Sequence, residues 1–120
     1  MKPEETNITF DEFANYVVKV KDGGKFCNEH WQAYDKLCHP CGVNYDFIGR
    51  FENLEEEARY VLEISGLNET VSFPQVKNSS TASKIPFFYS QLPKQRLNSI
   101  LRIFRGDSEM FGYDLPIFLK

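Results

Sequence analysis

The stretch from Phe26 to Leu54, FCNEHWQAYDKLCHPCGVNYDFIGRFENL, decides the predicted fold of this chain. Within it, Val43–Ile48 carries Val, Tyr and Phe at alternate positions, between Gly42 and Gly49. Aromatic and β-branched residues in period-two alternation between glycines predict a short buried β-strand. The same stretch contains all three cysteines, both histidines and the only tryptophan. It therefore supplies both the predicted strand and most of the candidate site residues.

Helical patterns lie on both sides of the predicted strand. Capping-box patterns, in which a residue such as Thr or Asn is followed three positions later by Glu, occur at Thr9–Glu12 and Asn53–Glu56. Loosely spaced Pro, Ser, Thr and Asn residues predict a surface excursion over 67–90, and Arg105–Asp107 is predicted to end the last long helix. The predicted helices cover about Phe10–Val18, His30–Leu37, Leu54–Ile64 and Pro93–Phe104.

One strand and about four helices make an incomplete α/β domain. A single strand cannot satisfy its own backbone hydrogen bonds, and strand–turn–helix is half of a βαβ unit. A chain of 120 residues has room for one modest core. The prediction is an α/β fold, helix-rich with one confident strand, in which residues 1–120 form a single partial domain whose parallel partner strands are absent.

Composition limits the class of partner. The formal net charge of −3 argues against a nucleic-acid partner, because phosphate neutralisation needs a broadly basic surface. The sequence contains no apolar run approaching the ~20 residues that span a bilayer, and its first ten residues lack the apolar core of a signal peptide. Three Asn-X-Ser/Thr sequons nevertheless favour a luminal or secreted history. The candidate glycosylation sites are Asn7, Asn68 and Asn78.

The cysteines allow two interpretations. Cys27, His30, Cys38 and Cys41 form C-x2-H-x7-C-x2-C, two close pairs of ligands of the kind that hold tetrahedral zinc. Alternatively, Cys38 or Cys41 forms a disulfide with Cys27 or with a cysteine outside this chain, and the odd count leaves one thiol over. A redox dithiol at Cys38 and Cys41 is less favoured, since such motifs follow a strand and open a helix. Spacing alone leaves zinc and disulfide both open.

Four side chains are candidates for contact with a substrate. His30 is a candidate general base or positioning group, or else a hydrogen-bonded histidine packed beside an aromatic residue. Trp31 is suited either to stack on a sugar ring or to fill a core. Arg50 and Glu52 follow the predicted strand, where α/β sheets place ligand groups, although a surface ion pair explains them equally well. The sequence has no glycine-rich phosphate-binding motif.

Five blocks of the sequence closely resemble the C-terminal region of the Golgi carbohydrate sulfotransferases, the group that acts on chondroitin, dermatan and related glycans. They follow the same order as in that family and extend over nearly the whole chain. The blocks are TFDEF at Thr9–Phe13, NEHW at Asn28–Trp31, LCHPC at Leu37–Cys41, YDFIGRFENLE at Tyr45–Glu55 and MFGYDLP at Met110–Pro116.

The resemblance implies a P-loop-like sulfotransferase fold and transfer of a sulfuryl group from 3′-phosphoadenosine 5′-phosphosulfate to a glycan hydroxyl. It also implies a type II membrane protein facing the Golgi lumen. In that oxidising compartment Cys38 and Cys41 become disulfide partners rather than zinc ligands, and no metal is expected. On this basis His30 and Trp31 are predicted to contact the glycan acceptor.

The resemblance also predicts what this chain lacks. The family's donor-binding elements, a basic loop for the 5′-phosphosulfate and an Arg/Ser pair for the 3′-phosphate, belong upstream of the matching region. The membrane anchor belongs there too and is expected only in a full-length form. The chain alone is therefore predicted to be inactive, with Arg50 and Glu52 at the edge of its acceptor site. The alternative is a non-catalytic secreted or zinc-stapled interaction module.

Overall fold

The computed structural model describes residues 7–25 and 27–115, and all regular secondary structure in those ranges is helical. The chain divides into two compact units. The first unit comprises the described residues up to Gly42 and from Thr81 onward, and the second unit is Val43–Ser80. Among the described residues no helix has the length and apolar character needed to cross a bilayer. The helices are α1 Phe10–Asp22, α2 Tyr34–Cys38, α3 Leu54–Ile64, α4 Thr81–Ser90, α5 Lys94–Ile103 and α6 Arg105–Phe111, with a 3₁₀ turn at Phe51–Asn53.

Helix α1 begins with the predicted capping box. The Glu12 backbone N–H donates to Thr9 Oγ1 at 3.2 Å, and the Thr9 backbone N–H donates to Glu12 Oε2 at 2.8 Å. Hydrogen bonds from the backbone and side chain of Thr9 lower the pKa of Glu12. The helix continues past the predicted end at Val18 and stops before Gly23. The predicted start is therefore confirmed, and the predicted length is one turn too short.

The core of the first unit lies between α1 and α5. Helix α5 begins at Lys94, directly after Pro93, close to the predicted start. An ion pair between Arg96 on α5 and Asp11 on α1 joins the two helices at the rim of the core. The core residues are Ala14, Val17, Leu92 and Ile100, surrounded by the partly buried Phe10, Phe13, Val18, Trp31, Tyr89, Leu97 and Phe104.

The prediction of a surface excursion over 67–90 is wrong in part, because its last ten residues form helix α4. Residues 81–90 are helical although Pro86 lies inside the helix, where its ring removes one backbone donor. Two ring contacts with α1 hold the segment: Phe10 lies 5.7 Å from Phe88 and 5.3 Å from Tyr89, both edge to face. Tertiary packing therefore overrides the local signals of Pro and Ser that predicted a loop.

The last long helix ends at Ile103, one residue before the predicted end at Phe104, but Arg105–Asp107 does not form its C-cap. Only Phe104 separates α5 from α6, and Gly106 lies in the first turn of α6 rather than after a helix. The glycine that ends α6 in the left-handed conformation is Gly112, with φ of 69°. A charged Arg-Gly-Asp tripeptide thus opens a helix here, because a glycine near charged residues marks a helix end only where its backbone adopts positive φ.

Helix α2 starts at Tyr34, four residues later than predicted, and a distant carboxylate caps it. The Tyr34 backbone N–H donates to Asp107 Oδ2 at 2.7 Å, and the Asp35 backbone N–H donates to Asp107 Oδ1 at 3.1 Å. The Tyr34 and Phe111 rings lie 6.1 Å apart, edge to face. These contacts fix α2 on α6, on the same face that carries Met110.

The second unit corrects the main fold prediction. Val43–Ile48 is irregular, and no strand is present in the ranges 7–25 and 27–115. Without a neighbouring strand a ladder cannot form, and the apolar side chains of the segment are between 37% and 55% exposed. Phe47 instead packs against Tyr60 of α3, with ring centroids 5.3 Å apart. No residue of the second unit is buried.

Helix α3 has the predicted bounds but not the predicted N-cap. The Asn53 side chain makes no capping bond; instead Glu57 Oε2 accepts the Arg50 backbone N–H at 2.5 Å. The C-terminus is as predicted. Gly66 has φ of 74°, its N–H donates to the Glu63 carbonyl, and the following N–H donates to the Leu62 carbonyl. That pair of bonds is a Schellman motif.

Candidate functional site

The loop before α2 holds His30 in a defined hydrogen-bonding state. Asn28 Oδ1 accepts the His30 backbone N–H at 3.0 Å and lies 2.7 Å from His30 Nδ1. A backbone amide only donates, so the Asn28 atom in contact must be the carbonyl oxygen, and Nδ1 must carry a proton. In a neutral imidazole the lone pair is then on Nε2. The His30 side chain is exposed, so this nitrogen is accessible to solvent.

Trp31 fixes the same loop to α1. Its ring meets Phe13 at 5.2 Å and Tyr16 at 6.2 Å, both edge to face, and its backbone N–H donates to the Asn28 carbonyl at 3.1 Å. The indole Nε1 is buried and has no hydrogen-bond partner among the described residues. Trp31 is therefore half-buried at the edge of the core, and contact between its exposed part and a sugar stays a prediction.

Arg50 and Glu52 lie in the second unit, around the 3₁₀ turn that precedes α3. Both residues are exposed, and the Arg50 backbone is held by Glu57. Gly49 makes this arrangement possible, because a Cβ there would lie 2.8 Å from Glu57 Oε2. The structure thus places one predicted pair in each unit, and within each unit the two residues of the pair lie in one short segment.

The three cysteines differ in their surroundings. Cys27 is buried, whereas Cys38 ends α2 and Cys41 lies in a β-turn closed by a 2.9 Å bond from the Gly42 N–H to the His39 carbonyl. The Cys41 thiol contacts Met110 Sδ at 4.0 Å, which anchors the turn on α6. No disulfide bond joins any two described residues, so the assignment of Cys38 and Cys41 to disulfides stays a prediction.

The zinc interpretation receives no support from the geometry. Among the described residues no group of three or more His, Cys, Asp or Glu side chains is arranged to hold a metal ion. Cys27 and His30 therefore do not join the two later cysteines in a ligand set.

A pocket of about 250 Å³ in the second unit was not predicted from the sequence. Its rim carries an ion pair between Glu55 and Arg59, at 3.7 Å, and Asn68 of the second sequon. The pocket forms where α3 meets the irregular segment after Gly66, a junction that periodicity does not reveal. Its lining residues are Glu55, Arg59, Leu62, Asn68, Val71, Ser72 and Phe73.

The asparagines of all three sequons are accessible to solvent. Asn7, Asn68 and Asn78 are all exposed, as an acceptor asparagine must be.

Three arginines are paired with carboxylates: Arg59 with Glu55, Arg96 with Asp11 and Arg105 with Glu109. Arginines already paired with carboxylates do not form a ready cradle for a doubly phosphorylated nucleotide. These residues therefore do not fit the sulfate donor.

Comparison with known proteins identifies the family. The sequence model of the sulfotransferase family matches residues 1–114. The chain belongs to the sulfotransferase family. The resemblance noted from the five sequence blocks is therefore confirmed at the level of the family.

Several curated relatives of this chain are named carbohydrate sulfotransferases. Carbohydrate sulfotransferase 11 of Danio rerio is 34% identical over 117 residues, covering 95% of this chain and 33% of the relative. Carbohydrate sulfotransferase 14 of Danio rerio is 35% identical over 113 residues, covering 92% of this chain and 30% of the relative. Carbohydrate sulfotransferase 10 of Gallus gallus is 31% identical over 126 residues, covering 97% and 35%. The chain thus spans about a third of the length of the curated relatives it matches, and no solved structure matches it.

Proposed function

We propose that this chain is the C-terminal, acceptor-side part of a carbohydrate sulfotransferase. The reaction is transfer of sulfate from 3′-phosphoadenosine 5′-phosphosulfate to a hydroxyl of a glycan such as chondroitin or dermatan. The observation that carries the proposal is coverage: relatives named carbohydrate sulfotransferases match 92–97% of this chain at 31–35% identity. The whole of the chain, rather than one motif, therefore follows that family.

Within this proposal each candidate residue has a role. His30 contacts the acceptor through its exposed imidazole, and Trp31 positions the loop and offers the exposed part of its ring. Arg50 and Glu52 lie at the edge of the acceptor site. Segments upstream of the matched region bind the donor, because Arg59, Arg96 and Arg105 of this chain are already paired with acids. The chain alone is expected to be inactive.

The proposed fold of the complete enzyme is α/β and P-loop-like. In it, Val43–Ile48 pairs with a strand contributed by the upstream part of the enzyme and becomes the strand that its alternation predicts. The exposure of that segment and the absence of any buried residue in the second unit support this proposal, because both leave apolar surface for a partner to cover.

The proposed location is the luminal side of the Golgi membrane, with the anchor in a full-length form. Glycans on Asn7, Asn68 and Asn78 and a disulfide between Cys38 and Cys41 would follow from passage through an oxidising lumen. A mass spectrum of the full-length protein isolated from membranes, before and after glycosidase treatment and before and after reduction, tests all four modifications. An unmodified mass would argue against the luminal location.

A chimera tests the function. We would replace the matching 117 residues of Danio rerio carbohydrate sulfotransferase 11 with this chain and measure sulfate incorporation into chondroitin per molecule of secreted protein. The proposal predicts activity above that of a relative truncated before the segment. The alternative, a non-catalytic interaction module, predicts a secreted chimera that resists proteolysis like the parent and transfers no sulfate.

A further inference from the structure

Asn28 is the residue whose role nothing in the family resemblance explains. Its side-chain oxygen accepts two hydrogen bonds from one neighbour, His30, at 3.0 Å from the backbone nitrogen and 2.7 Å from Nδ1. Its backbone carbonyl accepts the Trp31 N–H at 3.1 Å. Both polar groups of this one residue therefore fold the next three positions into a tight turn.

The turn is held against the body of the first unit. The Trp31 ring contacts Phe13 and Tyr16 of α1, both edge to face, so the backbone at 30 and 31 cannot rotate freely without breaking core-edge contacts. His30 Nε2 makes no hydrogen bond to any described residue, and the side chain is exposed. Nδ1 of the imidazole is thus hydrogen-bonded to Asn28, whereas Nε2 has no hydrogen-bond partner among the described residues.

We propose that Asn28 is a positioning residue that holds neutral His30 in the tautomer with the proton on Nδ1. Nε2 then presents a lone pair to a sugar hydroxyl of the acceptor. The identity of that acceptor rests on the proposed function. In the opposite tautomer Nε2 carries a proton and can only donate, so His30 could not take a proton from the acceptor.

The proton transfer is balanced as follows. The hydroxyl O–H bond breaks, an N–H bond forms at Nε2, and the oxygen keeps the electron pair with which it attacks the sulfur of the donor phosphosulfate. The bridging S–O bond of that donor breaks, and its electron pair leaves on the nucleotide phosphate. The proton on Nδ1 stays hydrogen-bonded to Asn28 Oδ1 throughout, which stabilises the imidazolium that forms.

The tautomer is measured directly by NMR. With ¹⁵N-labelled histidine, a long-range spectrum correlates the ring carbon-bound protons with both nitrogens, and the nitrogen without a proton resonates far downfield. The chain has only two histidines, and His39→Asn assigns them. Asn suits that position because His39 has φ of 47°. We expect the deprotonated signal at His30 Nε2. A deprotonated Nδ1 would overturn the proposal.

Two substitutions test whether Asn28 is the residue that fixes the tautomer of His30. Asn28→Ala removes the acceptor, and the preference for the Nδ1–H tautomer is expected to fall about fivefold, the ratio that one net hydrogen bond of about 1 kcal/mol gives. Asn28→Asp keeps an acceptor oxygen at the same distance and is expected to retain the wild-type pattern. An unchanged tautomer in Asn28→Ala, with the backbone amide spectrum otherwise preserved, would show that Asn28 is not what positions the ring.

Kinetics of the chimera separate this inference from the proposed function. Asn28→Ala should lower kcat by about two- to fivefold with little change in KM, because only the fraction of molecules in the competent tautomer reacts. Asn28→Asp should restore kcat. If His30→Ala leaves kcat unchanged while the NMR pattern is as expected, the role of His30 in the acceptor site is wrong although the tautomer assignment stands. If the NMR pattern fails, the positioning role is wrong whatever the activity.

Discussion

Replacement of Asp107 by Ala should destabilise α2 from a distance of more than seventy residues in sequence. Asp107 accepts the first two backbone N–H groups of that helix, from Tyr34 at 2.7 Å and from Asp35 at 3.1 Å. Loss of an N-terminal capping side chain typically costs ~0.5–2 kcal/mol, and hydrogen bonds to a charged acceptor lie at the upper end. Because Asp107 is only half-buried, we expect a loss of about 1–2 kcal/mol.

The assay is urea unfolding of the chain together with hydrogen exchange of single amides. In Asp107→Ala the urea midpoint should fall, and exchange of the Tyr34 and Asp35 amides should speed up, relative to the unsubstituted chain, by more than exchange of the α1 amides does. Glu109→Ala is the matched control: it lies on the same helix and, among the described residues, pairs only with the exposed Arg105, so little change is expected. Equal stability of the two variants, with the exchange of Tyr34 and Asp35 unaltered, would refute the assignment of Asp107 as the cap.

Three further changes have defined outcomes. Hydrogen bonds from Thr9 lower the pKa of Glu12 in the folded chain. The ionised carboxylate therefore stabilises the fold at a pH above its ordinary pKa of about 4.5, and this stabilisation is lost as the pH falls through the lower folded-state pKa. Glu12→Gln should flatten the acid limb of a curve of unfolding free energy against pH, and an unchanged limb would contradict this. Gly49→Ala should cost about 0.5–1.5 kcal/mol in urea unfolding, because the new Cβ displaces Glu57 from its backbone bond; no cost would mean that the bond is unimportant. Trp31→Ala should lower the free energy of unfolding by about 2–3 kcal/mol, because it removes a half-buried ring. Trp31→Phe should lower it far less, because the indole N–H has no partner among the described residues to lose. Equal shifts of the melting temperature in the two variants would show that the indole N–H does have a partner.

The helix boundaries that the sequence predicts correctly for the stated reason are those with a local signal at that boundary. Helix α1 has a capping box that forms as the pattern implies, and α3 ends at Gly66 in a Schellman motif. Helix α5 follows Pro93, which cannot continue a helix from the preceding side. In each case the residues that decide the boundary are within four positions of it, so no tertiary information is needed.

The elements that the sequence predicts wrongly depend on distant partners. Val43–Ile48 has the side-chain pattern of a strand, but a strand needs a neighbour, and none lies within the part of the chain that the structure describes. Helix α4 forms around Pro86 because Phe88 and Tyr89 pack on Phe10. The late start of α2 is set by Asp107, which no local pattern connects to it.

The candidate site was partly predictable. His30 and Trp31 were identified from residue type, and the structure places them together in one loop fixed to α1. The contribution of Asn28 was missed, although Asn two positions before His is a pattern that permits its oxygen to accept the backbone amide of that residue. The pocket beside Asn68 was not predictable, because it depends on how the segment after α3 returns along the helix.

The second unit has large apolar side chains exposed on its surface. Large apolar residues on the outer face of α3 include Tyr60 and Ile64, which are 48% and 58% exposed. The relatives are about three times as long as this chain. We therefore expect the upstream part of the proposed enzyme to cover this face, and protection of α3 amides from exchange should rise in the chimera compared with the isolated chain.

The most direct test of the account is sulfate incorporation by the chimera that carries this chain in place of the matching segment of Danio rerio carbohydrate sulfotransferase 11. The account predicts that the chimera sulfates a chondroitin acceptor, that His30→Ala abolishes most of this activity, and that the matched His39→Asn variant retains it. A secreted, protease-resistant chimera that transfers no sulfate would contradict the assignment of this chain to the acceptor side of a carbohydrate sulfotransferase.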